Sequence, residues 1–136
     1  ISGFRGRWET VCSNPETICD IGHNPEALAI NFRRLKESGR KLHVVYGIMA
    51  DKDLDAIIPP MPSGASYYLV APAGERALPV DKLAKKMQGF DCRSFGSVAE
   101  GVKAAMETAS HEDRSLVYVG GSNFVVSECI LYLNNI

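Results

Sequence analysis

The 136-residue chain has no excess of either charge, because 15 Lys and Arg stand against 16 Asp and Glu. Such a balance produces no broad field to attract a polyanion, so composition points to no nucleic acid and no anionic membrane as partner. No apolar run approaches the ~20 residues that a membrane helix needs, and the opening residues lack the apolar core of a signal peptide. A cytoplasmic protein is expected. The four cysteines, Cys12, Cys19, Cys92 and Cys129, show no CxxC spacing and mostly sit among apolar neighbours. They read as reduced thiols packed as small hydrophobes, and no metal site is expected. Also missing are a GxGxxG opening a helix, a GxxxxGK[ST] loop and a Ser-containing nucleophile elbow, which excludes a complete dinucleotide site or ATPase core within these residues. Repeats and low-complexity tracts are absent.

Apolar strands and amphipathic helices alternate along the chain, as in a mostly parallel sheet covered on both faces. WETVCS (8–13) and TICDI (17–21) read as strands separated by Asn14-Pro15. So short a link forbids a parallel crossover, so one of the two is expected to run antiparallel. At Asn24 a capping residue, Pro25 at the first helical position, Glu26 in the first turn and Leu28, Phe32 and Leu35 on one face predict a helix ending at Gly39. LHVVYGIM (42–49) reads as a strand buried on both faces, followed by a short helix from Asp51 to Pro59. SYYLVA (66–71) reads as a further strand, and Val80, Leu83, Ala84 and Met87 keep helical spacing. Ser97 and Glu100 form a capping box for the next helix. SLVYV (115–119) then leads through Gly120-Gly121-Ser122 into a last apolar helix. The expected fold is a single α/β domain: a Rossmann-like open sheet of about six mostly parallel strands, one antiparallel, with helices on both faces.

Open α/β sheets bind ligands beyond the carboxyl ends of their strands, and three strand-to-helix turns are polar there. In Asp20-Ile21-Gly22-His23-Asn24, a helix start with a close-approach glycine favours an anion, and His23 can donate a hydrogen bond or carry a proton near neutral pH. Equally, Asn24 caps the helix and Asp20 and His23 are rim polar groups. In the turn containing Asp51, Lys52 and Asp53, Lys52 can hold a carboxylate or phosphate while Asp51 caps; a solvated charged helix start is the plainer reading. In Gly120-Gly121-Ser122, paired glycines permit tight backbone approach to an anion and Ser122 adds a hydroxyl, with helix capping again the alternative. His43, inside an apolar strand, and His111, in a polar loop, are given no catalytic role.

Five segments together carry a resemblance: FRGRWE (4–9), ICDIGHNPEAL (18–28), VVYGIMADKD (44–53), RALP (76–79) and VYVGGSNFVVSE (117–128). In this order they resemble the C-terminal domain of folylpolyglutamate synthase/dihydrofolate synthase, within the Mur ligase superfamily. The Asp-x-x-His-Asn-Pro turn is the most specific piece. A common family version has Gly-Ala where this chain has Ile21-Gly22, with the Asp-to-His spacing kept.

The resemblance implies the last domain of a three-domain, ATP-dependent amide ligase. Its activity would be phosphorylation of a folate or dihydropteroate carboxylate and attack of L-glutamate on the acyl phosphate. ATP and Mg2+ are the implied cofactors, held largely by the enzyme's own N-terminal P-loop ATPase domain, with the metal ligands outside these residues. Arg7 and Asp20 would contact the nucleotide, and His23 would lie near the phosphates and the incoming glutamate as the catalytic residue. Ser122 and, less directly matched, Lys52 would hold glutamate, with Arg76 a further anion contact. The start at Ile1 within a Gly- and Arg-rich stretch reads as an excised domain. Two alternatives are a muramyl peptide ligase domain, distinguished by its missing N-terminal part, and a non-catalytic α/β sensing or receiver-like module. The order of Asp20 before Asp51 and Asp53 opposes a receiver.

Overall fold

A computed structural model describes residues 7–136, so Phe4, Arg5 and Gly6 of the FRGRWE segment and the start at Ile1 lie outside the described residues. The elements run β1 (Glu9–Ser13), β2 (Glu16–Asp20), α1 (Pro25–Glu37), β3 (Lys41–Tyr46), α2 (Leu54–Ile57), β4 (Ser66–Leu69), α3 (Val80–Lys86), β5 (Asp91–Ser94), α4 (Val98–Ser110), β6 (Ser115–Gly120) and α5 (Asn123–Asn134). The strands form one six-stranded sheet in the order β1-β2-β6-β3-β4-β5. Only β1 is antiparallel to its neighbour, as the short Asn14-Pro15 link requires.

Two separate cores sandwich the sheet, because successive strand residues point to opposite faces. Leu28, Phe32 and Leu35 of α1, Ile57 of α2, and Leu83 and Met87 from α3 and its end pack against Val44, Tyr46, Tyr67 and Tyr118 on one face. Val98, Val102, Ala105 and Ala109 of α4 and Val125, Val126 and Cys129 of α5 pack against Val45, Tyr68, Val117 and Val119 on the other. Cys19 and Cys129 are buried with sulfurs 3.9 Å apart, whereas Cys12 and Cys92 are only half-buried, and all four are free thiols. Burial and the neighbouring Asp91 push the Cys92 thiol up to about 11. No helix among the described residues is long and apolar enough to cross a membrane.

The capping signals hold. The amide of Ala27 donates to Asn24 Oδ1 at 2.8 Å, and Gly39 follows the helix with φ 66°. The Glu100 amide donates to Ser97 Oγ, while the Glu100 carboxylate accepts from Gly96 instead of from the cap residue itself. Three expectations need correction. The strand expected over 42–49 ends at Tyr46, because Gly47 is squeezed so close to Val70 that an added Cβ would lie 2.4 Å from the Val70 carbonyl oxygen. The strand expected to reach residue 71 ends at Leu69. The short helix begins at Leu54, with Asp53 and not Asp51 at its N-cap and no side-chain capping bond. The strand not located from the sequence, β5 (Asp91–Ser94), is a polar edge strand with no alternating apolar pattern to mark it.

At the strand ends away from the polar turns, His43 is buried at 2% exposure, with Nε2 2.6 Å from Glu112 Oε1 and Nδ1 2.8 Å from the Tyr68 hydroxyl. The bond to His43, aided by Lys41, holds the Glu112 carboxyl below its ordinary value. A depressed carboxylate contributes stability that is complete above the unfolded-state value and is lost as pH falls through the folded-state value. Replacing Glu112 by Gln is therefore expected to cost about 1–2 kcal/mol near neutral pH by weakening a bond to a buried ring. The difference should shrink as pH falls below the ordinary glutamate range, as read by urea unfolding at a series of pH values.

Candidate functional site

The polar turns converge because of the strand order. Helix α1 leaves β2 over one face, α5 leaves β6 over the other, and α2 leaves β3 over the first again. Connections that diverge from neighbouring strands open a crevice at their carboxyl ends. Asp20, Gly120 and Tyr46 end β2, β6 and β3 in register, with Asp20 opposite Gly120 and Tyr46 opposite Gly120. A cleft of about 730 Å3 lies there, lined by residues of all three turns and by Arg7, Trp8 and Arg34.

Asp20 organises the first wall. Its carboxylate is 7% exposed and accepts the Trp8 amide on Oδ2 and the Gly22 amide on Oδ1, each at 2.7 Å. Trp8 has φ 49°, a left-handed conformation costly for a bulky residue, so the carboxylate helps to hold a strained backbone in place. Trp8 in turn lies 5.9 Å from the Tyr118 ring, centroid to centroid, and beneath Arg34, whose guanidinium carbon is 3.9 Å from the indole centroid. Asn31 completes this wall by donating from Nδ2 to the buried Tyr118 hydroxyl at 3.0 Å. Burial pushes the Tyr118 hydroxyl up, which keeps it a neutral hydrogen-bonding group. His23 is exposed at the lip, with Nδ1 3.4 Å from the Ile21 carbonyl.

The second wall depends on two glycines. Gly121 has φ 104°, and a Cβ there would lie 2.1 Å from the Gly47 carbonyl oxygen, so the loops after β6 and β3 meet where only glycine fits. Ser122 follows, 1% exposed, accepting the amides of Phe124 at 3.0 Å and Val125 at 3.3 Å. Its capping role is thus realised, and its own O–H is the group left to donate.

The third wall is a short ribbon. Met49 and Ala77 form an antiparallel bridge, the Ala50 amide donates to the Arg76 carbonyl and the Leu78 amide to that of Ile48, both at 2.8 Å. This ribbon places Lys52 and Arg76 on the same cleft.

Every residue singled out from the sequence, Arg7, Asp20, His23, Lys52, Arg76 and Ser122, therefore lines one cleft. Four cations there, Arg7, Arg34, Lys52 and Arg76, outnumber the acids Asp20 and Asp51, although the chain as a whole carries a net charge of −1. Such a cleft suits a ligand bearing phosphate or carboxylate groups.

Residues 6–123 match the family model for the Mur ligase glutamate ligase domain. The chain belongs to the Mur ligase family. It is 34% identical over 116 residues to the dihydrofolate synthase/folylpolyglutamate synthase of Escherichia coli, covering 82% of this chain and 27% of that protein. It is 29% identical over 126 residues to the enzyme of the same name from Buchnera aphidicola of Schizaphis graminum, covering 90% of this chain and 30% of that protein. Among solved structures it is similar to the bifunctional folylpolyglutamate synthase/dihydrofolate synthase of Yersinia pestis complexed with AMPPNP and Mn. That match has TM-score 0.86 and 26% identity, over 98% of this chain and 32% of that one. It is likewise similar to E. coli FolC in complex with DHPP and ADP, with TM-score 0.86 and 27% identity, over 97% of this chain and 32% of that one. The chain thus spans about a third or less of the length of these relatives, and corresponds to the C-terminal domain of such ligases.

In this Mur ligase domain the cleft residues that sequence reasoning missed include Arg34, Asn31 and Ile30. The first two reach the cleft through Trp8 and Tyr118, contacts between segments far apart in the chain that no local spacing reveals. Ile30 is 58% exposed, and an apolar residue turned outward at a helical position is the one signal that could have marked it, while Phe124, in the motif after Ser122, is 49% exposed on the same cleft.

The closeness of the Asp20 turn makes Gly22 a sharp probe. A Cβ at Gly22 would lie 2.8 Å from Asp20 Oδ1 and 3.1 Å from Ala27 Cβ, whereas at Gly64 it would meet nothing within 4 Å. Gly22→Ala is expected to destabilise by about 1–3 kcal/mol through overpacking. Gly64→Ala should stay within about 0.5 kcal/mol of wild type. Denaturant midpoints of the two variants measure the contrast.

Proposed function

We propose that this chain is the closing domain of an ATP-dependent amide ligase that adds L-glutamate to folate or dihydropteroate through an acyl phosphate. The observation that carries the reading is the convergence of the three strand-end turns, with their cations, on one cleft shared with Trp8 and Asp20. The names of the relatives support the acceptor class, and their complexes with AMPPNP and Mn, and with ADP, support a nucleotide and a divalent cation.

An acyl phosphate is destroyed by water, and the amine must be held in attack geometry at its acyl carbon, so on this reading a second domain covers it. On this reading the chain's own side chains act as follows. Arg7 and the Asp20 turn meet the nucleotide from the face opposite an N-terminal ATPase domain of the same enzyme. His23, exposed at the lip, lies between phosphates and incoming amine, where an imidazole can donate to a phosphoryl oxygen or take the proton the amine releases. Lys52 and the Ser122 O–H hold the glutamate carboxylates. Among the described residues no group of three or more His, Cys, Asp or Glu side chains is placed to hold a metal ion. The cleft's own cations suit the anion, and a divalent ion accompanying the nucleotide would neutralise phosphate charge, its ligands coming on this reading from the N-terminal domain. The enzyme would work in the cytoplasm.

The test is ATP-dependent ligation by the longer protein carrying this domain, with dihydropteroate or tetrahydrofolate plus L-glutamate. His23→Ala, at an exposed position, is expected to keep stability within about 0.5 kcal/mol and to lower turnover about 100-fold or more. Asp20→Asn keeps one acceptor oxygen and should weaken nucleotide use while circular dichroism shows a folded domain; full activity in both variants would remove the assigned roles.

A further inference from the structure

Arg34 is an unusual residue for the outer part of α1. It is exposed, and among the described residues it makes no salt bridge, although Arg40, Lys41 and Lys86 each pair with a carboxylate. Its guanidinium instead sits 3.9 Å from the centroid of Trp8, and both side chains line the cleft. An indole face fixes a guanidinium without consuming its N–H donors, whereas a carboxylate partner would occupy them. The support beneath is itself built: Trp8 is held in a left-handed conformation by the Asp20 carboxylate and rests against Tyr118, whose hydroxyl Asn31 ties to α1. Strain of this kind persists only where the surroundings over-determine it.

We propose that Arg34 is a binding residue of the cleft, a guanidinium pre-oriented on Trp8 to receive an oxyanion of the ligand. It deepens the ligase reading and rests on it only for the identity of that oxyanion, which is either a nucleotide phosphate or a glutamate carboxylate. Both present the planar or tripodal oxygens that a guanidinium fork matches. Lys at this position would keep the charge and lose both the fork and much of the contact with the indole. The role therefore separates from a general positive field, to which Lys52 and Arg76 also contribute.

Trp8 is the only tryptophan in the sequence, so its fluorescence reports on the cleft wall that carries Arg34. The experiment titrates the chain with Mg-ATP, L-glutamate and inorganic phosphate separately, up to tens of millimolar, for wild type, Arg34→Lys and Arg34→Gln, with circular dichroism to confirm folding. The expected result is a saturable change in wild-type emission with at least one probe. Its Kd should rise about 10-fold or more in Arg34→Gln and nearly as much in Arg34→Lys. Response to Mg-ATP and phosphate identifies a phosphate contact, and response to glutamate alone a carboxylate contact. Equal Kd values in wild type and both variants, or no saturable response to any probe, would overturn the proposal. The ligase reading is judged separately, by ligation in the wild-type longer protein, and can stand where wild type and both variants bind the probes equally. Conversely, oxyanion binding at Arg34 can stand where no ligation occurs.

Discussion

The carboxylate of Asp20 is the interaction on which the cleft depends. It ends β2, opposite the last residue of β6, and accepts two backbone amides, one from the residue before β1 and one from the turn before α1. Two amides at 2.7 Å on a nearly buried carboxylate are charge-assisted bonds, about twice as strong as neutral ones. They draw Trp8 across the end of the sheet and close the Ile21-Gly22 turn in one act.

The crowding around this carboxylate explains which residue types surround it. Gly22 has no room for a Cβ against Asp20 and Ala27, and Gly121 none against Gly47. Glycines at both turns let the backbone pass close to the strand ends, which leaves the space in front of them as cleft rather than side chain. Behind the turns the sheet is stiffened by Tyr46, Tyr67 and Tyr118, all essentially buried, with Phe32 6.4 Å from the Tyr46 ring and 6.5 Å from that of Tyr118. Rigid aromatic support under a turn rich in glycine is how a flexible backbone is given one conformation.

Features set by neighbours in sequence were legible in advance. Asn24 with Pro25 and Ser97 with Glu100 announce helix starts because a cap and its amide lie within one turn, and both bonds form. The antiparallel β1 followed from the shortness of its link. What was not legible depends on distant contacts. VVYGIM looks like one strand because Ile48 is as buried as Val44, yet the ladder stops at Tyr46, since burial and strand geometry are different properties. DCRS has no apolar alternation and is a strand only because β4 offers it an open edge. Asp51, Asp53 and Lys52 gave no means of choosing the cap, and the structure uses Asp53 without a side-chain bond. Arg34 was invisible as a site residue because its partner is 26 positions upstream and reaches it only through a positive-φ backbone.

On the proposed reading a second domain covers the cleft, and its charges then bear on that closure. Arg34, Lys52 and Arg76 form no salt bridges among the described residues, and they face the same space as Arg7. While water fills that space, repulsion between such charges is small, because solvent and salt screen it over distances of about 10 Å. Once a second surface displaces the water, the same charges interact in a lower dielectric, and each becomes costly unless an anion lies between them. Closure by such a domain would thereby be favoured with a phosphate- or carboxylate-bearing ligand in place and opposed without one. On that reading, a cleft that gathers cations at the switch point of a neutral domain, and leaves Ile30 and Phe124 exposed beside them, would couple ligand binding to closure through desolvation alone. That coupling requires no moving part inside the domain, which accords with the rigid aromatic floor beneath the turns.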